Sequence, residues 1–183
     1  EHYQTLLGNH RFLFCLTHDV DDIKIRHHSL VNFFRNSNLE TLSQIFSDNN
    51  PSWNFEKIKD IENIYGVKSA FFFLAERSEP SLFHSLIDNK RAIRYNIESE
   101  RIIKIIKDLD LGGWEIGLHG SFDSYNNFEK LKKEKDNLEF VLGHVVRGVR
   151  QHYLNLSFPK SWLLQKKCGF SYDSSLIMYK DVG

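Results

Sequence analysis

The sequence predicts an α/β fold in which parallel strands alternate with covering helices, and three observations carry that reading. Short, nearly unbroken apolar runs recur along the chain, as strands buried on both faces require. Segments of helical period separate most of them. Polar residues able to do chemistry close the runs on their C-terminal side, where such folds gather ligands. The order implies right-handed parallel crossovers, and composition admits either an open doubly wound sheet or a barrel.

The first run, Arg11–Thr17, reads as a strand buried on both faces, with Cys15 as a small buried hydrophobe. A helical segment at about 54–65 and the turn Gly66-Val67 lead to the second, Ser69–Leu74, whose Phe71-Phe72-Phe73 reads as core. Residues 75–96 show no clean period and read as an excursion at the rim. In the next helix Ile102, Ile103, Ile105, Ile106 and Leu109 share one side, and Gly112-Gly113 stop it. The third strand is Trp114–His119. A charged helix at about 127–142, with Lys130–Lys135 as its exposed side, precedes a fourth strand at Val145–Val149. A helix from near Pro159 to Gly169 precedes a fifth near Phe170–Asp173.

The chain has 183 residues, with 24 basic against 24 acidic side chains. That balance argues against a nucleic-acid or polybasic membrane partner. No apolar run approaches the ~20 residues of a membrane-spanning helix. Two cysteines, Cys15 and Cys168, support neither a disulfide scaffold nor a four-cysteine zinc site. No signal peptide is visible, which leaves the compartment open, as is the possibility of a homo-oligomer.

The first strand closes in Thr17-His18-Asp19-Val20-Asp21-Asp22. Period two places Asp19 and Asp21 on one side, where two carboxylates repel unless a cation intervenes. A metal ligand beside a general base uses both charges; an acidic turn with Asp21 or Asp22 as a helix cap suits the same residues. The third strand closes in His119-Gly120-Ser121-Phe122-Asp123, and imidazole plus carboxylate is a normal pair for a divalent ion. His119 is equally suited to a hydrogen-bonded structural role. Arg150, closing the fourth strand, can hold a carboxylate or face solvent; Asp173, at the fifth, can pair with an arginine or cap a turn. His27-His28 read as a solvated face near the mouth. Trp162 suits packing or a sugar platform equally.

The order of these motifs is more specific than any one of them. Thr17-His-Asp-Val-Asp21, Glu115-Ile-Gly-Leu-His119-Gly120, Gly148-Val-Arg150 and Gly169-Phe-Ser-Tyr-Asp173-Ser-Ser-Leu176 resemble the ordered motifs of the NodB-like polysaccharide deacetylases, carbohydrate esterase family four. The resemblance runs from about Arg11 to Leu176, and residues 1–183 are expected to form one domain with its C-terminal part missing. It implies a distorted (β/α) barrel of seven or so strands, incomplete at the C-terminus, since complete barrels usually run to ~250 residues. It implies a divalent metal, zinc foremost, and a carbohydrate substrate that loses N-acetyl groups. By position Asp19 is the base, Asp21 and His119 are metal ligands, Arg150 orients the base and Asp173 supports the site. His18, Ser121, Tyr125, His152 and Tyr153 are expected beside the substrate.

The chain departs from that pattern in three places. Asp123 stands where the family has a second metal histidine, and is expected to ligate in its stead. Gln151-His152-Tyr153 follows Arg150 without the usual proline. No Leu-x-His follows Asp173-Ser-Ser-Leu176, where the family's closing motif supplies the general acid. Two alternatives accompany the deacetylase reading: a small-molecule amide hydrolase of allantoinase type, and a catalytically silent carbohydrate-binding domain.

Overall fold

The computed structural model describes residues 12–23, 53–78, 87–88 and 90–176. Five parallel strands form one sheet in the order of the chain: β1 (Thr17–Val20), β2 (Ala70–Leu74), β3 (Glu115–Gly120), β4 (Gly148–Gln151) and β5 (Tyr172–Asp173). Among the described residues four helices lie between them: α1 (Phe55–Ile64), α2 (Glu100–Leu111), α3 (Phe128–Leu142) and α4 (Lys160–Lys167). Strand order that never reverses is that of a barrel wall; a doubly wound sheet turns back at its switch point. No helix among the described residues is long and apolar enough to cross a membrane.

The three phenylalanines of β2 split by period two. Phe71 and Phe73 turn to the helical layer, 5.9 and 6.0 Å from the Phe55 ring of α1. Phe72 turns the other way, 4.7 Å beneath the Arg150 guanidinium, and is fully buried. Gly117 makes that possible, because a Cβ there would come within 2.5 Å of the Phe72 ring. On α2, Ile102, Ile105, Ile106 and Leu109 are buried as their spacing predicts, and α3 covers the sheet with Leu131 and Leu138.

Two of the sequence-based boundaries move toward the C-terminus. β1 begins at Thr17, where pairing with Ala70 starts, so Phe12, Leu13, Phe14 and Cys15 precede the ladder and are exposed. Cys15 is therefore not a buried hydrophobe. β4 likewise begins at Gly148, and Val145 is exposed. His27 and His28 lie outside the described residues.

The Lys130–Lys135 run is not wholly solvated. Lys135 is buried and donates to the Cys168 and Gly169 carbonyls at 3.1 and 3.3 Å, tying α3 to the end of α4. Glu134 is buried too, accepting from the Ser121 hydroxyl at 2.5 Å and from the Ser121 N–H at 3.1 Å. Burial pushes the Glu134 carboxyl up to about 7, against the lowering effect of the Ser121 bonds. Glu62 on α1 is the opposite case. Burial opposes its charge, but hydrogen bonds with His18, Trp114 Nε1 and Ser69 outweigh that and hold it below its ordinary value. Those bonds, at 3.0, 2.6 and 3.0 Å, knit α1 to the strands.

Two expected outcomes follow. Glu62→Ala strands the buried Trp114 and Ser69 donors and should cost at least about 2 kcal/mol in urea unfolding. Glu134 has a folded-state pKa raised above 4.5, so its penalty is absent at lower pH and grows as pH rises towards 7. Relative to Glu134→Gln, wild-type stability should fall across that window by about 1.4 kcal/mol per pH unit at most. Parallel stability–pH curves would show that Glu134 ionises freely.

Candidate metal and catalytic site

The strand register assembles the site. His119 on β3 stands opposite Leu74 on β2 and Arg150 on β4, at the C-terminal edge of the sheet. The short 3-10 turn His152–Leu154 follows β4 directly, and Asp21 follows β1 by one residue. These chain ends surround a cavity of about 320 Å³ whose wall includes Asp19, Asp21, Asp22, Arg94, Arg150 and Tyr153.

Inside it three donor atoms form a triangle. Asp21 Oδ1 lies 3.0 Å from His119 Nε2 and 3.2 Å from His152 Nδ1, and the two nitrogens are 3.0 Å apart. His119 Nδ1 donates to the Arg150 carbonyl at 2.9 Å. In a neutral imidazole that bond fixes the tautomer and turns the Nε2 lone pair toward the triangle. Asp21 Oδ1 is buried and, among the described residues, has no hydrogen-bond donor directed at it. Burial opposes its charge, yet the two close imidazoles hold the carboxyl far below the usual range. Lone pairs converging in this way call for a cation. Tetrahedral bonds of about 2.0 Å separate ligand atoms by about 3.3 Å, close to the spacing observed, so these three residues fit a divalent ion.

Asp19 sits beside this group, outside the triangle. Arg150 Nη1 donates to Asp19 Oδ1 at 2.8 Å, and Arg150 Nε is itself held by the Ser174 carbonyl and hydroxyl at 3.2 and 3.0 Å. The guanidinium is thus fixed on three sides, by Asp19, Ser174 and the face of Phe72.

Asp123 is not the third member of the cluster. Arg91 grips it with Nε and Nη2 at 2.7 and 3.0 Å, and the same guanidinium reaches Asp88 at 2.8 Å. The Arg91 bonds lower the Asp123 pKa, and its carboxylate is spent on a strap between the loops that follow β2 and β3. The group with metal-site geometry takes His152 in its place.

Other expected residues fall elsewhere. His18, next to Asp19 in an extended strand, points to the opposite face and meets Glu62. Ser121 is buried against Glu134. Tyr125 lies half-buried in the 3-10 turn Ser124–Asn126, away from the cavity wall. Asp173 accepts from Trp162 Nε1 at 3.0 Å and from the Ser175 N–H at 3.1 Å, lining a separate concavity with Trp162 and Tyr172. Tyr153 does line the cavity, in a left-handed conformation (φ 56°). Arg94 and Tyr95 were not singled out by the sequence, because the stretch 75–96 has no period from which to place them.

No protein-family model matches the sequence, and no curated protein matches it. Solved structures do. A Mycobacterium smegmatis protein assigned to the polysaccharide deacetylases superposes with TM-score 0.54 at 20% identity, over 89% of this chain and 50% of that one. The Bc1960 peptidoglycan N-acetylglucosamine deacetylase gives 0.48 at 18% identity, over 85% and 53%. IcaB from Ammonifex degensii gives 0.47 at 14%, over 66% and 53%. The chain spans about half the length of the solved structures it matches. With its unreversed parallel strands and the superposition on the mycobacterial protein, the chain has the NodB-like polysaccharide deacetylase fold.

Proposed function

We propose that this chain is a metal-dependent hydrolase that removes N-acetyl groups from an amino-sugar glycan. The observation that carries the reading is the Asp21–His119–His152 triangle beside an arginine-held Asp19. The fold supports it, since the mycobacterial protein with which it superposes is assigned to the polysaccharide deacetylases.

One carboxylate and two imidazoles suit zinc better than the two carboxylates and one imidazole that Asp123 would have given. A divalent ion at the triangle supplies a Lewis acid for the acetamide carbonyl and acidifies water at neutral pH. The chain's own residues do the rest. Asp19 is oriented by Arg150, whose Nη1 donates to its Oδ1. It is placed to take a proton from an attacking water as general base. Arg150 cannot take up that proton, because guanidinium stays charged; it keeps the carboxylate aimed. The left-handed turn at Tyr153 and Leu154 closes the cavity wall beside His152.

Zinc titration of the purified chain, with acetate release from N-acetylglucosamine oligomers, tests this reading. Asp21→Ala, His119→Ala and His152→Ala should each weaken zinc binding about 10-fold or more, since a lost ligand costs at least what a lost outer partner does. Asp123→Ala should leave affinity unchanged. Wild-type protein that takes up no metal overturns the proposal. Asp19→Asn should keep its zinc while acetate release falls about 100-fold or more, the usual scale of general-base catalysis. Undiminished release would remove Asp19 from the reaction.

A further inference from the structure

The parallel ladder between β1 and β2 stops at Val20 and Phe73, one rung short of Leu74. Ala70 N–H donates to the Leu16 carbonyl at 3.0 Å, with Thr17 opposite Ala70. Four residues further on, the same pattern would join Leu74 N–H directly to the Val20 carbonyl. The hydroxyl of Tyr95 occupies that position. Leu74 N–H donates to it at 2.8 Å, and it donates to the Val20 carbonyl at 2.8 Å. A direct rung spans about 2.9 Å. Here two links replace one, so the end of β1 is held away from β2 at the residue before Asp21.

Asp21 needs that displacement. Its partner His119 is on β3, and β2 lies between them in the sheet, so the chain leaving β1 must cross the end of β2. The residue beside Tyr95 holds the other side of the crossing: Arg94 Nη1 is 3.6 Å from Asp22 Oδ2. Residues 94 and 95 therefore grip the chain on both flanks of Asp21, at Asp22 and Val20. They are anchored in turn where Ile97 N–H donates to the Glu76 carbonyl at 2.8 Å. Tyr95 is buried, and among the described residues its hydroxyl bonds Leu74 and Val20 alone.

We propose that Tyr95 is a positioning residue: its hydroxyl, inserted in the β1–β2 ladder, sets the Asp21 carboxylate opposite His119 and His152. The inference rests on the metal-site reading above. Tyr95→Phe removes both links while keeping the ring that fills the core. It should bind zinc at least 10-fold more weakly than wild type. It should also alter the visible absorption spectrum of bound cobalt, which reports ligand geometry. Leu138→Ala, a core variant on α3, serves as the control for general destabilisation and should keep wild-type affinity and spectrum.

Wild-type zinc binding together with an unaltered Tyr95→Phe overturns the inference and leaves the proposed function standing. Equal losses in Tyr95→Phe and Leu138→Ala overturn it too, by showing stability alone at work. A wild-type chain that binds no metal overturns both readings. Should Tyr95→Phe fail to fold, p-aminophenylalanine at position 95 replaces it, a good donor to Val20 but a poor acceptor from Leu74. Its zinc affinity should fall at least threefold, and unchanged affinity overturns the inference.

Discussion

Three lone-pair-bearing atoms meeting at 3.0–3.2 Å at the C-terminal edge of the sheet are the constraint on which the rest of the site depends. Such a meeting is unfavourable without a cation or a shared proton, so the surrounding structure must hold it. The sheet does this by register. His119 is opposite Arg150, whose carbonyl fixes the imidazole from behind, while the Arg150 side chain serves Asp19 in front. One residue thus orients His119 with its backbone and Asp19 with its side chain. That is economical, and it makes β4 the organising strand.

Much of this was legible in the sequence, and the reasons are specific. Apolar runs buried on both faces marked the strands, and polar residues at their ends marked the mouth, because parallel strands leave side chains nowhere else to do chemistry. Asp19, Asp21, His119 and Arg150 each close such a run, and all four line one cavity. Strand starts were less legible. Apolar residues before Thr17 continue the pattern, but pairing begins only where a neighbour exists.

Asp123 falls outside the triangle for a physical reason. Asp123 holds the position that the family resemblance assigns to a ligand, and four-residue spacing after His119 allows it to turn inward. What sequence could not show was Arg91, 32 residues away, waiting with two donors. The signal for His152 was nevertheless present. It lies two residues after Arg150, and period two at a strand end puts both on one face. Glu134 and Lys135 escaped similarly, since a charged helix reads as solvated until a serine hydroxyl or a free carbonyl is found above it.

The span of chain across the site has a consequence for how the protein would acquire its metal. Asp19 and Arg150 are 131 residues apart in sequence, and Asp21 and His152 are no closer to one another. No short stretch of the unfolded chain holds this donor set, so zinc would bind the assembled sheet almost exclusively. Ligation then acts as a thermodynamic brake on unfolding that strengthens with free metal concentration. It also acts late, because contacts so distant along the chain form only after loop-closure entropy has been overcome. Metal would arrive as a seal on a finished scaffold, not as the template around which the scaffold condenses.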